Sequence, residues 1–311
     1  MKIIYMGTPD FAVLPLEALY DDGHEIVLAV TQPDKPKGRG HKLQASPVKE
    51  YALSKNIPVY QPESAKTDEA YEYLASFGAD IFIVAAYGQI LPQRVLDIPK
   101  HGCINIHASL LPRYRGAAPI QWSIINGETI TGVTTMQMNA GLDTGDMLIK
   151  EEVEITPTDT GETLHDKLAS AGVTAIRKTI SLVESGTLAP EKQKDEDSCY
   201  APMINKMTGY IDFSKSASDI NNLVRALNSY PYASTTYNGT RFKVIASTVV
   251  ENNTDNECGK ILSVTKDGIL VKCGNDALLI TDVQFEGKKK MPVSEFIKGN
   301  TIDTGIILGA E

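Results

Sequence analysis

The segment spanning residues 80–86, DIFIVAA, constrains the fold more than any other stretch of the chain. A short run that is apolar almost throughout is typical of a parallel strand covered on both faces. The predicted strands and helices before it alternate along the chain: strand 2–6, a helix from Asp10, strand 25–31, a helix from Ser46, strand 58–61 and helix 67–77. This alternation predicts an α/β class with a Rossmann-like, doubly wound sheet.

The chain from residue 118 to residue 184 extends this pattern. We predict a helix over 118–126, paired strands over 131–138 and 147–155, and a long helix over 160–184. The long helix is indicated by apolar residues that recur at steps of three and four. The segment 32–44 is polar and rich in glycine and proline, which predicts a loop.

Short strands at close spacing predict a small second domain at the C-terminal end of the chain. The five strands are expected at 234–237, 241–247, 259–264, 269–273 and 277–285. Asn238-Gly239 and Asp267-Gly268 are turn signals between them. Such a meander predicts a small β-barrel of OB type, a fold that often binds nucleic acid. The predicted organisation is a catalytic domain over 1–189, a linker over 190–207 and the OB-like domain over 208–311.

The net charge of -9 argues by itself against a nucleic-acid partner. The charge is uneven, however. From Thr208 onward the chain carries 11 Lys and Arg against 12 Asp and Glu, including the run Lys288-Lys289-Lys290. A local basic face can bind phosphates on a protein that is acidic overall.

Cysteine usage and the N-terminal sequence predict a cytoplasmic protein without a membrane partner, which we expect to be a monomer. The 4 cysteines are widely separated and form no C-x-x-C pair. No signal peptide and no apolar run of membrane-spanning length is evident. We expect no metal site, because no His and Cys cluster has zinc-ligand spacing. An NAD site is not expected either, because the G-x-G-x-x-G fingerprint is absent after the first strand.

Candidate catalytic residues lie in Asn105-Ile106-His107, at the end of an alternating segment that predicts a strand. Residues two apart in a strand share a face, so an amide donor and an imidazole are expected side by side. Asp143 is an anion that can orient or charge that imidazole. Together such groups can hold an oxyanion and move a proton. None is an obvious nucleophile, so the group indicates direct acyl transfer without an acyl-enzyme.

The run NIHASLLPRYRGAAPIQW, residues 105–122, closely resembles the signature of the formyltransferases that use 10-formyltetrahydrofolate. Matching segments extend from the first residue to the last, at 4–12, 32–40, 86–92, 143–146 and 211–213. The resemblance is greatest to the branch of this family that acts on methionyl-initiator tRNA. It therefore implies formyl transfer from 10-formyltetrahydrofolate to the α-amino group of methionyl-initiator tRNA, for translation initiation.

The resemblance also implies roles for individual residues. The catalytic residues would be Asn105, His107 and Asp143. Residues that would bind the folate co-substrate are Ser109, Leu110, Leu111 and Pro112, mostly through backbone groups, and Tyr87, Gly88, Ile90 and Leu91. The tRNA would be bound by a basic, glycine-rich loop through Arg39, Lys37 and Lys42. Arg39 is the expected phosphate contact, since a guanidinium can form a forked pair with a phosphate.

Three alternatives remain open from the sequence. The first is a formyltransferase for a small amine, such as glycinamide ribonucleotide or a nucleotide-linked amino sugar. The second is a hydrolase that releases formate from the same folate. Both would keep Asn105, His107 and Asp143, but neither would need the basic loop or the C-terminal barrel. The third, a nucleic-acid-binding protein without activity, leaves the catalytic group unexplained.

Overall fold

The computed structural model describes residues 1–37 and 42–309, which form two compact units. The first unit contains Met1–Gly116, Ile130–Glu154 and His165–Ala201. The second contains Ala117–Thr129, Ile155–Leu164 and the described part of the chain from Pro202 onward. Each unit is described separately below.

The strands of the first unit are, in chain order, β1 (Lys2–Gly7), β2 (Glu25–Val30), β3 (Lys35–Lys37), β4 (Lys42–Gln44), β5 (Val59–Tyr60), β6 (Ile81–Ala85), β7 (Cys103–His107), β8 (Arg115–Gly116), β9 (Ile130–Gln137), β10 (Met147–Glu154) and β11 (Tyr200–Ala201). The strands of the second unit are β12 (Ala233–Tyr237), β13 (Thr240–Val250), β14 (Ile261–Thr265), β15 (Gly268–Lys272), β16 (Ala277–Phe285) and β17 (Met291–Pro292). The helices of the chain are α1 (Val13–Asp21), α2 (Pro47–Ser54), α3 (Asp68–Ser76), α4 (Gln93–Leu96), α5 (Pro119–Ile125), α6 (Gly161–Ser185), α7 (Ala217–Ala226) and α8 (Val293–Phe296).

The large sheet of the first unit has the order β10-β9-β7-β6-β1-β2-β5. The five strands from β7 to β5 are parallel, whereas β9 and β10 are antiparallel to their neighbours. Every residue of β6 is buried, as its continuous apolar sequence predicted. The doubly wound α/β fold is therefore confirmed. From β1 the sheet extends to β2 and β5 in one direction and then to β6 and β7 in the other, so a crevice is expected at the carboxyl ends of the central strands, where the order reverses.

The starts of two helices agree closely with the local signals that predicted them. The Ser46 side chain accepts a hydrogen bond from the Lys49 backbone N–H at 3.1 Å, and Pro47 occupies the first position of α2. Thr67 caps α3 in the same way, through the Ala70 N–H. The helix expected from Asp10 instead begins with one 3-10 turn before α1.

The segment predicted as a loop over residues 32–44 contains a short antiparallel ladder. Strands β3 and β4 pair with Lys35 opposite Gln44 and Lys37 opposite Lys42. Each strand has only three residues, and Pro36 interrupts the alternation, so periodicity could not indicate this hairpin. The four residues between these strands lie outside the described part of the chain.

The sheet of the second unit is antiparallel, with the order β12-β13-β16-β15-β14, and β17 pairs with β16. The five principal strands match the five predicted from turn signals, which confirms the C-terminal domain of OB type. Its core is formed by inward-facing residues of these strands and of α7, including Phe242, Val271, Ile280 and Val224. Across the described ranges, none of the helices is long and apolar enough to cross a membrane.

Candidate functional site

Asn105 and His107 lie at the carboxyl end of β7, between parallel β6 and antiparallel β9. Ile106 faces the opposite side, where α6 approaches so closely that a β-carbon on Gly172 would lie 3.3 Å from the Ile106 side chain. Asn105 and His107 therefore share a face, as predicted. Asn105 is half-buried, and its side chain makes no hydrogen bond to any residue that the structure describes. Its amide is thus available to a substrate.

His107 is held from two sides. Its Nε2 lies 2.9 Å from the Tyr114 carbonyl oxygen, and its Nδ1 lies 3.7 Å from the Asp143 carboxylate. A carbonyl can only accept, so Nε2 must carry a hydrogen and donate it to Tyr114. Nδ1 is then the nitrogen that can exchange a proton, and it faces Asp143. Only 6% of His107 is exposed, so this pair is shielded from bulk water.

Asp143 sits in a turn that leaves little conformational freedom. Its φ is +52°, in the left-handed region that aspartate tolerates better than most residues. Its carboxylate accepts a hydrogen bond from the Gly116 N–H at 2.8 Å. Two positions further on, a β-carbon on Gly145 would lie 1.6 Å from the Gln137 carbonyl oxygen, so only glycine fits. The carboxylate is therefore preorganised toward His107.

Gln193, which lies in the predicted linker, also contacts the turn that contains Asp143. The Gln193 Nε2 donates to the carbonyl oxygens of Asp143 and Gly145, at 2.9 and 2.7 Å. Its Oε1 accepts a hydrogen bond from Arg115 Nε at 2.9 Å. A glutamine among charged residues carries no periodic or motif signal, so sequence reasoning missed it. Gln193 ties the Asp143 turn to the segment that follows the His107 strand.

The segment after β7 contains the predicted folate residues Ser109, Leu110, Leu111 and Pro112. The Ser109 side chain is buried and donates to the Arg113 carbonyl oxygen at 2.7 Å. Leu111 is buried against Met136 and Met147, while Leu110 and Pro112 are half-buried. The side chains of Ser109 and Leu111 are buried in the protein interior. This segment can therefore contact a ligand mainly through its backbone groups.

The predicted folate residues Tyr87, Gly88, Ile90 and Leu91 follow the neighbouring strand β6. The Tyr87 and Gly88 carbonyl oxygens accept hydrogen bonds from Gln32 Nε2 at 3.1 and 3.0 Å. Burial raises the pKa of Tyr87 to about 12, so its hydroxyl stays neutral at physiological pH. Leu91 packs in the core, whereas Ile90 is 67% exposed. Ile90 is therefore the apolar side chain that this segment presents to solvent.

A cleft of about 650 Å³ reaches this second segment. Its walls include Gly88 and Ile90 together with Gln32, Lys35 and Lys66. Asn105, His107 and Asp143 do not line it. The cleft thus lies beside the predicted folate segment, and the candidate catalytic group lies outside it.

Of the predicted tRNA contacts, Lys37 ends β3, Lys42 begins β4, and Arg39 belongs to the sequence between these strands. Arg39 lies outside the described residues, and so do the side chains of Lys37 and Lys42. The base of the loop is anchored, because Lys49 and Gln61 both donate to the Asp34 carboxylate, which lowers its pKa. Among the described residues, no three His, Cys, Asp or Glu side chains lie together as a metal site would require.

The fold and this group of an amide, an imidazole and a carboxylate define an α/β protein with a candidate acyl-transfer site, and comparison with known proteins gives its family. The model of the formyl transferase family matches residues 1–180, and the model of the formyl transferase C-terminal domain matches residues 203–301. The chain belongs to the formyl transferase family.

Relatives that share about half of the residues carry a narrower name. The methionyl-tRNA formyltransferase of Clostridioides difficile is 52% identical over 99% of this chain and 100% of its own length. That of Clostridium perfringens is 53% identical over the same shares. Among solved structures, the N-formyltransferase from Helicobacter canadensis, in complex with folinic acid and dTDP-3-aminofucose, has a TM-score of 0.67 at 22% identity. It covers 90% of this chain and 99% of that one, and this likeness supports the fold.

Proposed function

We propose that this protein transfers the formyl group of 10-formyltetrahydrofolate to the α-amino group of methionyl-initiator tRNA. The observation that carries the proposal is the arrangement around His107, whose Nδ1 faces Asp143, beside an Asn105 amide that has no hydrogen-bond partner among the residues the structure describes. The full-length relatives that bear the name methionyl-tRNA formyltransferase support the choice of acceptor.

The proposed reaction needs no covalent enzyme intermediate. The neutral amine attacks the formyl carbon, and a C–N bond forms. The resulting oxyanion accepts hydrogen bonds from the Asn105 amide and from protonated His107. Because Nε2 already donates to Tyr114, we assign this contact to Nδ1. The bond from the formyl carbon to the folate nitrogen then breaks, and Asp143 or a water relays the proton of the amine to that nitrogen.

We assign the two substrates to different segments. Residues 109–112 and the segment of Tyr87, Gly88, Ile90 and Leu91 would hold the folate, at the carboxyl ends of β7 and β6. The basic loop with Lys37, Arg39 and Lys42 would clamp the tRNA. In the proposed domain organisation, residues 1–189 form the catalytic domain, residues 190–207 form a linker, and residues 208–311 form the tRNA-binding domain. We further propose that the protein acts as a cytoplasmic monomer.

The acceptor assay tests this function. The purified chain and 10-formyltetrahydrofolate are incubated separately with methionyl-initiator tRNA, methionyl-elongator tRNA, glycinamide ribonucleotide and a nucleotide-linked amino sugar, and formyl transfer is measured. We expect efficient transfer to initiator tRNA alone. Preferred use of either small acceptor would instead support that alternative, and release of formate without any acceptor would indicate a hydrolase.

A second prediction concerns Gln193 as a positioning residue. Gln193→Ala removes three hydrogen bonds around the Asp143 turn, so we expect turnover to fall about tenfold to a hundredfold, because a small displacement of a catalytic group is costly. The KM values for both substrates should stay within about twofold of the parent if ground-state binding is unchanged. Steady-state kinetics with each substrate varied in turn gives the result.

Two further variants make this prediction specific. Gln193→Glu keeps the acceptor for Arg115 but places a carboxylate against two carbonyl oxygens, so it should be at least as damaging as alanine. The control is Gln93→Ala, which removes an exposed amide on α4 that donates to the carboxylate of Asp97, just after that helix, and it should have parental turnover. A parental rate for Gln193→Ala would show that the turn holds Asp143 without this residue.

A further inference from the structure

The thiol of Cys199 contacts the residue that holds His107, although the proposed reaction gives this thiol no role. The Cys199 Sγ accepts a hydrogen bond from the Tyr114 backbone N–H at 3.2 Å. The carbonyl oxygen of Tyr114 in turn accepts the hydrogen bond from His107 Nε2 at 2.9 Å. The backbone of Tyr114 thus connects the thiol to the imidazole through two consecutive hydrogen bonds.

Tyr114 has a backbone conformation that its surroundings must maintain. Its φ is +60°, in the left-handed region that bulky residues seldom adopt. A residue keeps such a conformation only where neighbouring groups hold it there. The φ and ψ angles fix the direction of the carbonyl relative to the N–H of the same residue. A side chain that holds the Tyr114 N–H therefore helps to direct the Tyr114 carbonyl toward His107.

Cys199 is itself held in place by the short parallel ladder of β8 and β11. Arg115 pairs with Tyr200, and the Arg115 N–H donates to the Cys199 carbonyl oxygen at 2.9 Å. The ladder is closely packed, since a β-carbon on Gly116 would lie 2.5 Å from the Tyr200 ring. Cys199 therefore accepts hydrogen bonds from two successive backbone N–H groups, one through its thiol and one through its carbonyl oxygen.

The two partners of His107 favour opposite tautomers of its ring. A neutral imidazole carries one hydrogen, which the Asp143 carboxylate favours on Nδ1 and the Tyr114 carbonyl favours on Nε2. If the Tyr114 carbonyl moved away, the hydrogen would shift to Nδ1, the nitrogen that must exchange a proton. We propose that Cys199 is a positioning residue, whose Sγ keeps the Tyr114 carbonyl against Nε2 and so sets the tautomer of His107.

The inference rests on the proposed function, because it gives Cys199 its effect on formyl transfer through His107. Cys199→Ala removes the hydrogen-bond acceptor and should lower turnover about tenfold, since a small displacement around a catalytic group is costly. The KM values for both substrates should stay within about twofold of the parent, because ground-state binding is not affected. Cys199→Ser keeps an acceptor at this position, so its turnover should lie within about threefold of the parent.

Nitrogen-15 NMR of the histidine rings gives a readout that a merely structural role would not change. The chain has 5 histidines, and His107→Gln identifies the signals of residue 107. At alkaline pH, where imidazole rings are ordinarily neutral, the parent should carry the ring hydrogen of His107 on Nε2 alone. In Cys199→Ala the form with the hydrogen on Nδ1 should appear beside it, whereas Cys199→Ser should give the parental spectrum.

Cys258→Ala is the matched control for these variants. Cys258 is another free, half-buried cysteine, but it packs against the core of the second unit. This variant should keep the parental turnover, the parental KM values and the parental spectrum of His107. Thermal unfolding of all three variants shows whether each is folded under the conditions of the assay.

The outcomes separate the inference from the proposed function. Parental turnover and an unchanged spectrum in Cys199→Ala would overturn the inference, while the proposed function would stand. Equal losses in the alanine and serine variants would also overturn it, because the hydrogen-bond acceptor would then not be what matters. If the parent forms no formylmethionyl-tRNA, the proposed function fails, and the spectra alone decide whether Cys199 sets the tautomer of His107.

Discussion

Replacing His107 by alanine or Asp143 by asparagine should each lower the rate of formyl transfer about a thousandfold, within the usual range for a group that moves a proton in the transition state. Asparagine is a close match in shape at position 143. Its amide oxygen can still accept the hydrogen bond from the Gly116 N–H, so the turn should keep its conformation while the charge beside His107 is lost. The measurement is single-turnover transfer to methionyl-initiator tRNA at saturating folate.

The double variant tests whether the two residues act as one unit. His107→Ala combined with Asp143→Asn should cost far less than the product of the two single losses, because groups that work together are non-additive. Two losses that multiply fully would show that Asp143 does not act through His107. Since His107 is buried, thermal unfolding of His107→Ala is measured alongside, and a folded but inactive variant supports the catalytic role.

Asn105→Ala should lower turnover by about a hundredfold to a thousandfold, the usual effect of removing one oxyanion donor. Folate binding should change little, because the amide is expected to act in the transition state. The loss of stability should be small, within about 1 kcal/mol, since the side chain has no hydrogen-bond partner among the described residues that would be left unpaired.

Asn105→Asp sharpens this test because it keeps the size of the side chain. A carboxylate facing a developing oxyanion repels it, so aspartate should be at least as inactive as alanine. Turnover and folate affinity are measured on both variants, with folate binding followed by equilibrium titration. Turnover within a few-fold of the parent in Asn105→Ala would place the oxyanion elsewhere.

The buried strand β6, the capped helices α2 and α3 and the strands of the second unit were all predictable, because each depends on a local pattern. Burial on both faces requires a continuous apolar run, and a cap requires one polar side chain before a helix. The β3–β4 hairpin was not predictable, because strands of three residues are too short for any periodicity to appear.

The candidate site likewise has one part that could be predicted from the sequence and one part that could not. Alternation along β7 places Asn105 and His107 on one face, and this follows from the period of any strand. The approach of Asp143 depends on β7 pairing with antiparallel β9, and on a turn that admits only glycine at position 145. No local pattern could indicate that Gln193 bonds to Asp143 across 50 positions of the chain.

The sequence by itself therefore determined the two side chains of β7 and, through the family resemblance, the identity of their acidic partner. Only the tertiary structure decided which imidazole nitrogen faces Asp143, because the Tyr114 carbonyl that engages Nε2 is a backbone group with no sequence signal. The tertiary structure also showed that Gln193, in the predicted linker, holds the Asp143 turn by hydrogen bonds. The physical reason is that strand period acts between near neighbours, whereas hydrogen bonds between distant segments form only after the sheet has brought them together.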